Sequence, residues 1–322
     1  MTGSSTLRRK GDPKGGGRDA IEAFELLSNQ TRLAILLALW ESVEANDERH
    51  GVPFSELADR IDYDSPGNFN YHLKKLTGRY VRKTDRGYLP TEAGGNVIRA
   101  IRAGAITRDV SLGPFEIDDL CPYCDGVVEV RYEDTHIVAR CTECDGPFLE
   151  TSCGESRLVV SHRELPPAGV QNRGPTAAVD AYLTRVGHLG FSMLAGTCPE
   201  CASKPRVSTL VCPDHNSGAR GCETCGQPYH SWTEMVCTHC KFGMGVPTRW
   251  LPIRNPRVGS FFQERGVDVT RGFSLELWSV LDEADEHVRS TDPLELVITY
   301  RIEGERLSVR VEDVVTVVDI SE

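Results

Sequence analysis

The chain has 322 residues, a length that indicates two or three domains, and its 47 acidic and 36 basic side chains give a net charge of −11. It contains no run of 18 apolar residues, so the pattern excludes a transmembrane helix and predicts no membrane partner. Its first 17 residues are polar and rich in Gly, Arg and Lys, unlike a signal peptide, and we therefore expect a cytoplasmic protein.

The basic residues are divided unevenly into 29 arginines and 7 lysines. An acidic surface with few lysines is typical of proteins adapted to high salt, as in halophilic archaea, although an ordinary acidic cytoplasmic protein has a similar overall charge. Because the net charge has the wrong sign for a nucleic-acid-binding protein, the local distribution of charge is the more informative quantity.

Residues 1–18 are predicted to form a flexible basic tail, in which five basic residues stand against Asp12 alone for a net charge of +4. Two interpretations remain open: a solvated chain end, or an arm that contacts DNA phosphates or the minor groove. The basic residues of the tail are Arg8, Arg9, Lys10, Lys14 and Arg18.

Residues 19–105 show a compact helical pattern that includes a hairpin and ends in a last helix. Pro66 fits the first position of a helix capped by Asp64 or Ser65, and Thr91 fits the cap of the last helix. The predicted elements are two helices before residue 40, a short helix over 54–61, a helix over 66–76, strands over 80–83 and 87–89, and a final helix after residue 91.

Two segments of this region resemble ArsR-like winged helix-turn-helix regulators of bacteria and archaea. Residues 23–39 (AFELLSNQTRLAILLAL) are similar to the first helices of that family, and residues 70–76 (NYHLKKL), with the hairpin after them, are similar to its recognition helix. The resemblance implies a DNA-binding domain that forms a homodimer through its first and last helices, in a haloarchaeal type with zinc-ribbon extensions. No cysteine precedes Cys121, so the metal-sensing cysteine pair of many ArsR-like proteins is not predicted here.

The helix over 66–76 and the hairpin after it are predicted to contact DNA. Asn side chains near the start of such a helix can pair with adenine in the major groove, and Tyr can donate to phosphate. Between residues 65 and 88, six basic side chains stand against Asp85 alone, a net charge of +5. Taken alone, this charge favours a solvated face, but together with the winged-helix pattern around it phosphate contact is favoured. His72 contacts either phosphate or, as we favour, the protein itself. The predicted DNA-binding residues are Asn68, Asn70, Tyr71, Lys74, Lys75, Arg82, Lys83 and Arg86.

Ten of the twelve cysteines form C-x2-C pairs, a spacing typical of zinc knuckles. Thiols stay reduced in the cytoplasm, so we expect metal binding rather than disulfides. The first two pairs predict a zinc ribbon over 113–160, in which a hairpin returns the second pair to the first. The predicted ligands of this ribbon are Cys121, Cys124, Cys141 and Cys144.

Residues 196–250 predict a second zinc-binding module with eight ligands for two further ions. Its four knuckles can pair sequentially, nested or interleaved; the short loops between neighbours favour sequential pairing, with an interleaved cross-brace as the alternative. Sequential pairing assigns one ion to Cys198, Cys201, Cys212 and His215 and the other to Cys222, Cys225, Cys237 and Cys240. His230 or His239 could replace His215, and Cys153 is predicted to bind no metal.

These zinc sites are expected to be structural. Four protein ligands leave no open position for an activated water, and small ribbons need the metal in order to fold. No C-x2-C pair lies in a βαβ context, which disfavours a redox dithiol. We therefore predict no catalytic residues and no enzymatic activity.

The remaining segments complete an α+β chain. Residues 176–195 predict an amphipathic connecting helix, and residues 255–322 predict a small α+β domain with an antiparallel sheet. Residues 261–322 carry 15 acidic and 6 basic side chains, net −9, which disfavours DNA contact there. The predicted elements are a helix over 258–264 and strands over 275–281, 294–302, 306–311 and 314–320.

Together these patterns predict a sequence-specific transcriptional regulator that binds double-stranded DNA and offers its zinc-ribbon region to a protein partner. The alternative is an interaction or scaffold protein whose zinc ribbons contact the transcription machinery, with incidental DNA contact.

Overall fold

The structure is a computed structural model that describes most of the chain in two compact units, residues 1–107 and 108–322. Residues 1–15 of the predicted tail, the Asp64 and Ser65 cap and Cys153 lie outside the described residues, whereas residues 16–18 begin the first helix. The described residues are 16–42, 51–61, 66–106, 110–121, 123–145, 159–160, 164–216, 222–225, 228–270, 273–313 and 316–321.

In the first unit, four helices precede a two-stranded hairpin and a fifth helix, which is the predicted order of elements. Asn29 caps the second helix by accepting a hydrogen bond from the Arg32 N–H at 3.1 Å. The elements are α1 (Gly16–Leu27), α2 (Gln30–Ser42), α3 (Phe54–Asp59), α4 (Pro66–Leu76), β1 (Val81–Thr84), β2 (Gly87–Pro90) and α5 (Glu92–Arg102).

The core of this unit fixes which face of α4 reaches solvent. Phe69, Leu73 and Leu76 are fully buried at positions i, i+4 and i+7, so one stripe of α4 packs on the core and the opposite stripe is exposed. The Phe69 ring meets the Phe54 ring of α3 edge to face at 5.2 Å, which sets α4 against the shorter helix.

The hairpin is tied to the segment before α3. Val52 and Tyr88 exchange two backbone hydrogen bonds of 2.9 Å, a bridge that the sequence pattern did not predict. Gly87 has φ of 149°, and a Cβ there would lie 2.2 Å from the Val52 carbonyl oxygen, so only glycine allows this approach. Thr91 caps α5 as predicted, accepting from the Gly94 N–H at 3.1 Å.

The described residues of the second unit form three antiparallel sheets and three α-helices. The first sheet joins β3 (Leu112–Leu120), β4 (Val127–Glu133), β5 (His136–Cys141) and β6 (Val159–Val160), and α6 (Pro175–Leu194) follows it. The second sheet joins β7 (Pro205–Val211), β8 (Ser231–Cys237) and β9 (Gly243–Pro247). A 3₁₀ helix (Thr248–Arg254) and α7 (Pro256–Gln263) lead into α8 (Leu275–Asp282) and a four-stranded meander of β10 (Asp285–Thr291), β11 (Leu294–Ile302), β12 (Glu305–Glu312) and β13 (Thr316–Ser321).

One hydrophobic core runs through the second unit. Buried side chains from the first sheet, α6, the second sheet, α7, α8 and the meander belong to a single cluster. The segments that the sequence divides into ribbon, connecting helix, zinc module and small domain therefore pack as one body. The mixture of helices and antiparallel sheets agrees with the predicted α+β class.

The strand predicted over residues 275–281 is wrong, because this segment is α8. The Ser274 hydroxyl accepts from the Leu277 N–H at 3.1 Å and caps the helix, while Leu277, Trp278 and Leu281 bury one helical face. On the side of β11 away from β12, the paired strand is β10, which was not predicted. Among the helices of the described residues, none has the length and apolar content needed to span a bilayer.

Candidate functional site

Three groups of side chains in the second unit are arranged to hold a metal ion, and within each group all ligand atoms lie within 4.8 Å of one another. We name them the first cysteine cluster, the second cysteine cluster and the histidine cluster. They comprise, respectively, Cys121, Cys124, Cys141 and Cys144; Cys198, Cys201, Cys237 and Cys240; and Cys212, His215, Cys222 and Cys225.

The sulfur–sulfur distances fit a tetrahedral metal site and exclude disulfides. In the two cysteine clusters the nearest Sγ pairs are 3.4–3.6 Å apart, and Cys212 Sγ lies 3.9 Å from Cys222 Sγ. A disulfide requires about 2.05 Å. Four thiolates at about 2.3 Å from zinc in tetrahedral geometry stand about 3.8 Å apart. The donor set and its spacing therefore suit a thiolate-binding metal such as zinc.

The first cysteine cluster forms where the ends of neighbouring strands meet. Leu120 at the end of β3 pairs with Val127 at the start of β4, and Cys141 at the end of β5 pairs with Val128. This register places the turn after β3 beside the turn after β5. The predicted return of the second cysteine pair to the first is therefore what the structure shows.

Three of the knuckles share one backbone turn. In each, the first cysteine accepts at its carbonyl from the N–H four residues later and donates its own N–H to the carbonyl five residues later. The residue four positions on has positive φ in all three cases, namely Asp125, Ala202 and Lys241. The turns begin at Cys121, Cys198 and Cys237, and they present both thiols of a C-x2-C pair to the same side.

The sequential pairing predicted for residues 198–240 is wrong, because the structure pairs the knuckles in the nested order. Strand register explains the difference: Pro205 of β7 pairs with Cys237 of β8, while Val211 pairs with Ser231. The knuckle before β7 therefore meets the knuckle after β8, and residues 212–225 close on themselves at the opposite end of the strand pair.

His215 is the histidine ligand of its cluster, as predicted, and neither His230 nor His239 belongs to the three groups found among the described residues. Its Nδ1 lies 3.6 Å from Cys225 Sγ. The ring also hydrogen-bonds the backbone of Pro228, which has no N–H and so must accept through its carbonyl. Such a second contact orients a metal-binding imidazole. His230 stacks on His215 with ring centroids 5.2 Å apart.

Backbone N–H groups favour the thiolate form in these clusters. Those of Cys240 and His239 lower the pKa of the Cys237 thiol to about 6, against the opposing effect of burial. Burial raises the pKa of Cys222, but N–H groups at Asn216, Cys225 and Thr224 together outweigh it, and the pKa falls to about 6. The thiolate is the form that binds metal, so the backbone favours the binding form at Cys222 and Cys237, whereas burial raises the pKa of the Cys121 and Cys212 thiols.

Asp282, which sequence reasoning did not single out, links the first cysteine cluster to the segment next to the histidine cluster. Its carboxylate accepts from the Tyr123 hydroxyl within the first cysteine cluster's knuckle, and from the Tyr229 hydroxyl at 3.0 Å, next to His230. The indole N–H groups of Trp250 and Trp278 donate to it at 3.0 and 2.9 Å. Burial and the Asp282 charge raise the pKa of both tyrosines, so each hydroxyl keeps its proton as a donor.

The residues predicted to bind DNA lie on the exposed stripe of α4 and on the hairpin of the first unit. The side chains of Asn68, Tyr71, Lys74, Lys75, Arg82, Lys83 and Arg86 are exposed, and that of Asn70 is half-buried. The His72 ring is half-buried and packs edge to face on Tyr71 at 5.3 Å.

Ion pairing distinguishes this face from the rest of the first unit. Arg60, Arg99 and Arg102 each form an ion pair with a glutamate at 3.1 Å or less. Within the part of the chain that the structure describes, no carboxylate pairs with Lys74, Lys75, Lys83 or Arg86. Lys75 and Lys83 instead lie 5.6 and 6.0 Å from the ring centroids of Tyr71 and Tyr88.

Comparisons with known proteins divide the chain at the same place as its fold. A family model described as Domain of unknown function (DUF7347) matches residues 20–101, and a second, described as Domain of unknown function (DUF7351), matches residues 118–317. No curated protein and no solved structure matches the chain. Because the second match spans more than half of the 322 residues, the chain belongs to the DUF7351 family.

Proposed function

We propose that this protein is a sequence-specific DNA-binding transcriptional regulator. The first unit is a winged helix-turn-helix domain in which α3 and α4 form the helix-turn-helix, α4 is the recognition helix and the β1–β2 hairpin is the wing. The second unit is a zinc-ribbon body in which three structural zinc ions hold the knuckles together.

The observation that carries the proposal is the uncompensated positive charge on α4 and the hairpin. In the same unit Arg60, Arg99 and Arg102 each pair with a glutamate, whereas the described carboxylates leave Lys74, Lys75, Lys83 and Arg86 unpaired. In a chain with net charge −11, a basic face of this kind matches the phosphate backbone of DNA better than it matches solvent.

The order of side chains along α4 supports base reading. The exposed Asn68 and the half-buried Asn70 lie in the first turns of the helix, where recognition helices contact base edges, and Lys74 and Lys75 lie in the last turn. Asn can donate to and accept from adenine, while Lys supplies only positive charge. The helix therefore separates sequence reading from phosphate binding along its length.

The apolar surface of α1 supports homodimer formation. Ile21 and Phe24, one turn apart, expose 61% and 73% of their surface. Neighbouring exposed apolar side chains on one helix form a patch that a partner can cover. A second copy of the chain that covers α1 would place two α4 helices on one duplex, as in dimeric helix-turn-helix proteins.

The experiment measures the affinity of the full-length protein, loaded with zinc, for the DNA upstream of its own gene and for a scrambled duplex. We expect Lys74→Ala with Lys75→Ala to weaken binding to both duplexes about equally and to reduce the salt slope by about 2, since each lysine contributes about 1. We expect Asn70→Ala to reduce the preference for the upstream DNA by roughly 5- to 150-fold. The control is Arg140→Ala, which removes one positive charge, half of what the double lysine variant loses, from an arginine paired with Glu129 in the second unit.

An unchanged affinity and an unchanged preference in the α4 variants would contradict the recognition-helix assignment. That outcome would favour the alternative in which the zinc-ribbon body contacts the transcription machinery. An equal loss of affinity per charge removed in the Arg140→Ala variant would show that net charge alone, rather than the α4 face, controls binding.

A further inference from the structure

An apolar cavity of about 100 Å³, partly open to solvent, lies within the second unit between α6, the second sheet and α8. No charged side chain lines it among the described residues, and methionines 235 and 244 contribute thioethers. Six aromatic rings line the cavity: Tyr182, Phe191, Trp232, Trp250, Phe273 and Trp278.

The rings of this cavity are held in place before any ligand arrives. Phe191, Phe273, Trp250 and Trp278 form a chain in which successive ring centroids are 6.1, 5.3 and 4.8 Å apart. The indole N–H groups of Trp250 and Trp278 both donate to Asp282, so these two indole rings cannot rotate freely. A fixed aromatic wall lowers the ordering cost of binding.

The space exists because α6 carries two glycines that face it. Gly187 and Gly190 lie inside a 20-residue helix, where each glycine is unfavourable compared with alanine. Close packing of the backbone does not require glycine at position 190, since the nearest atom to an added Cβ is the flexible end of Met244 at 3.3 Å. These glycines therefore weaken the helix and leave room beside it.

We propose that this cavity binds an uncharged ligand built on a single aromatic ring. Aromatic rings and thioether sulfurs both attract a ring edge or face, and no charged group in the lining matches a charged ligand. An apolar cavity of about 150 Å³ holds benzene, so this smaller but partly open space matches one ring. The proposal does not rest on DNA binding by the first unit.

The test titrates benzene into the full-length, zinc-loaded protein and follows tryptophan fluorescence. Three of the four tryptophans of the chain line the cavity, so occupancy reports directly on the emission. We expect a saturable change with half-saturation on the order of 1 mM, well within the affinity available to six carbon atoms. Benzoate, which adds a charge to the same ring, is expected to give no saturable change, and cyclohexane to bind at least tenfold more weakly than benzene.

Two substitutions locate the site. Gly190→Ala is expected to weaken benzene binding while it raises Tm by about 2–4 °C, because the added methyl occupies the cavity and favours the helix. Gly190→Leu is expected to weaken benzene binding at least tenfold. The control is Gly174→Ala at the start of the same helix. An added Cβ at this position meets nothing within 4 Å, and Gly174 does not line the cavity, so benzene binding should not change.

In Gly190→Ala the affinity for benzene is expected to fall while Tm rises. This combination distinguishes a filled cavity from a damaged fold, since a variant that merely unfolds loses both affinity and Tm. No saturable response of the wild-type protein to benzene would overturn the proposal. Equal affinities for cyclohexane and benzene would overturn the aromatic class. A loss of affinity in Gly174→Ala that equals the loss in Gly190→Ala would overturn the location.

Discussion

Among single residues, Asp282 is the one whose loss should matter most outside the metal clusters. Its carboxylate accepts from two tyrosine hydroxyls and two indole N–H groups, and Asp282→Ala removes all four bonds, although the Trp278 N–H keeps the Tyr123 hydroxyl at 3.2 Å as an acceptor. Tyr229 and Trp250 are buried, and a buried donor that loses its acceptor costs about 1–3 kcal/mol, so we expect the free energy of unfolding to fall by about 2 kcal/mol or more. Chemical denaturation of the zinc-loaded protein measures it.

The neighbouring Asp285→Ala is the control for this prediction. Asp285 is exposed and pairs with the exposed Arg301, an interaction that contributes only about 0–1 kcal/mol. A loss in Asp282→Ala as small as in Asp285→Ala would show that the four donors find water or other partners, and that the carboxylate does not hold them.

The contrast between His215 and Asp282 shows what could be predicted at this scale. Spacing from Cys212 identifies His215 as a ligand, because a knuckle is built from residues close in sequence. Asp282 receives donors from residues 4, 32, 53 and 159 positions away, and no local pattern records such a meeting. Its role depends on the tertiary packing that brings α8 next to Tyr123, Tyr229 and Trp250.

At the scale of elements, the nested pairing of the knuckles makes a prediction that metal counting can check. Cys201 and Cys240 belong to one cluster, whereas Cys201 and Cys225 belong to two. We expect three zinc ions in the wild-type protein, two in the double variant Cys201→Ser with Cys240→Ser, and one in Cys201→Ser with Cys225→Ser. Each intact cluster keeps four ligands and each damaged one falls to three or fewer.

Sequential pairing gives a different count for one of these variants. It places Cys201 and Cys240 at different ions, so the first double variant would then hold a single zinc ion. Metal analysis after gel filtration under reducing conditions distinguishes the two results. Cys124→Ser with Cys144→Ser is the matched control, because both pairing schemes predict two remaining ions.

The errors at this scale have a common physical cause. The sequence identifies the knuckles and the helices of the first unit, because caps and short spacings are local. The sequence does not reveal the register of β7 on β8. That register decides which knuckles meet, because four knuckles can pair with one another in several ways. The apolar run over 275–281 is equally compatible with a buried strand, and only the Ser274 cap and the packing of Trp278 decide for a helix.

For the molecule as a whole, the two cysteine clusters are part of the hydrophobic core of the second unit. Cys121, Cys198 and Cys237 are at most 1% exposed and belong to its core, whereas the core of the first unit contains no cysteine among its described members. The boundary at residue 107 therefore separates a unit whose core includes candidate metal ligands from one whose described core includes none. A core shared between segments leaves no local signal in the sequence.

Removal of the metal should consequently unfold one unit and spare the other. Structural zinc contributes about 10–16 kcal/mol in small metal domains, as much as or more than the 5–15 kcal/mol that stabilises a typical protein. With two of the three candidate sites built into this core, we expect chelation under reducing conditions to abolish the protection of backbone amides in β4, β8 and β11. Protection in α2, α4 and α5 should persist, and hydrogen exchange with mass spectrometry of the full chain resolves the two sets.

Zinc added back is the control, and it should restore protection in β4, β8 and β11 without a change in α2, α4 or α5. Retained protection in β11 after complete chelation would contradict a single metal-dependent core, because that strand contributes none of the grouped ligands and belongs to the shared core. A loss confined to the knuckle turns would instead mean that apolar burial alone, through side chains such as Leu296, Ile298 and Tyr300, is sufficient to hold the second unit together.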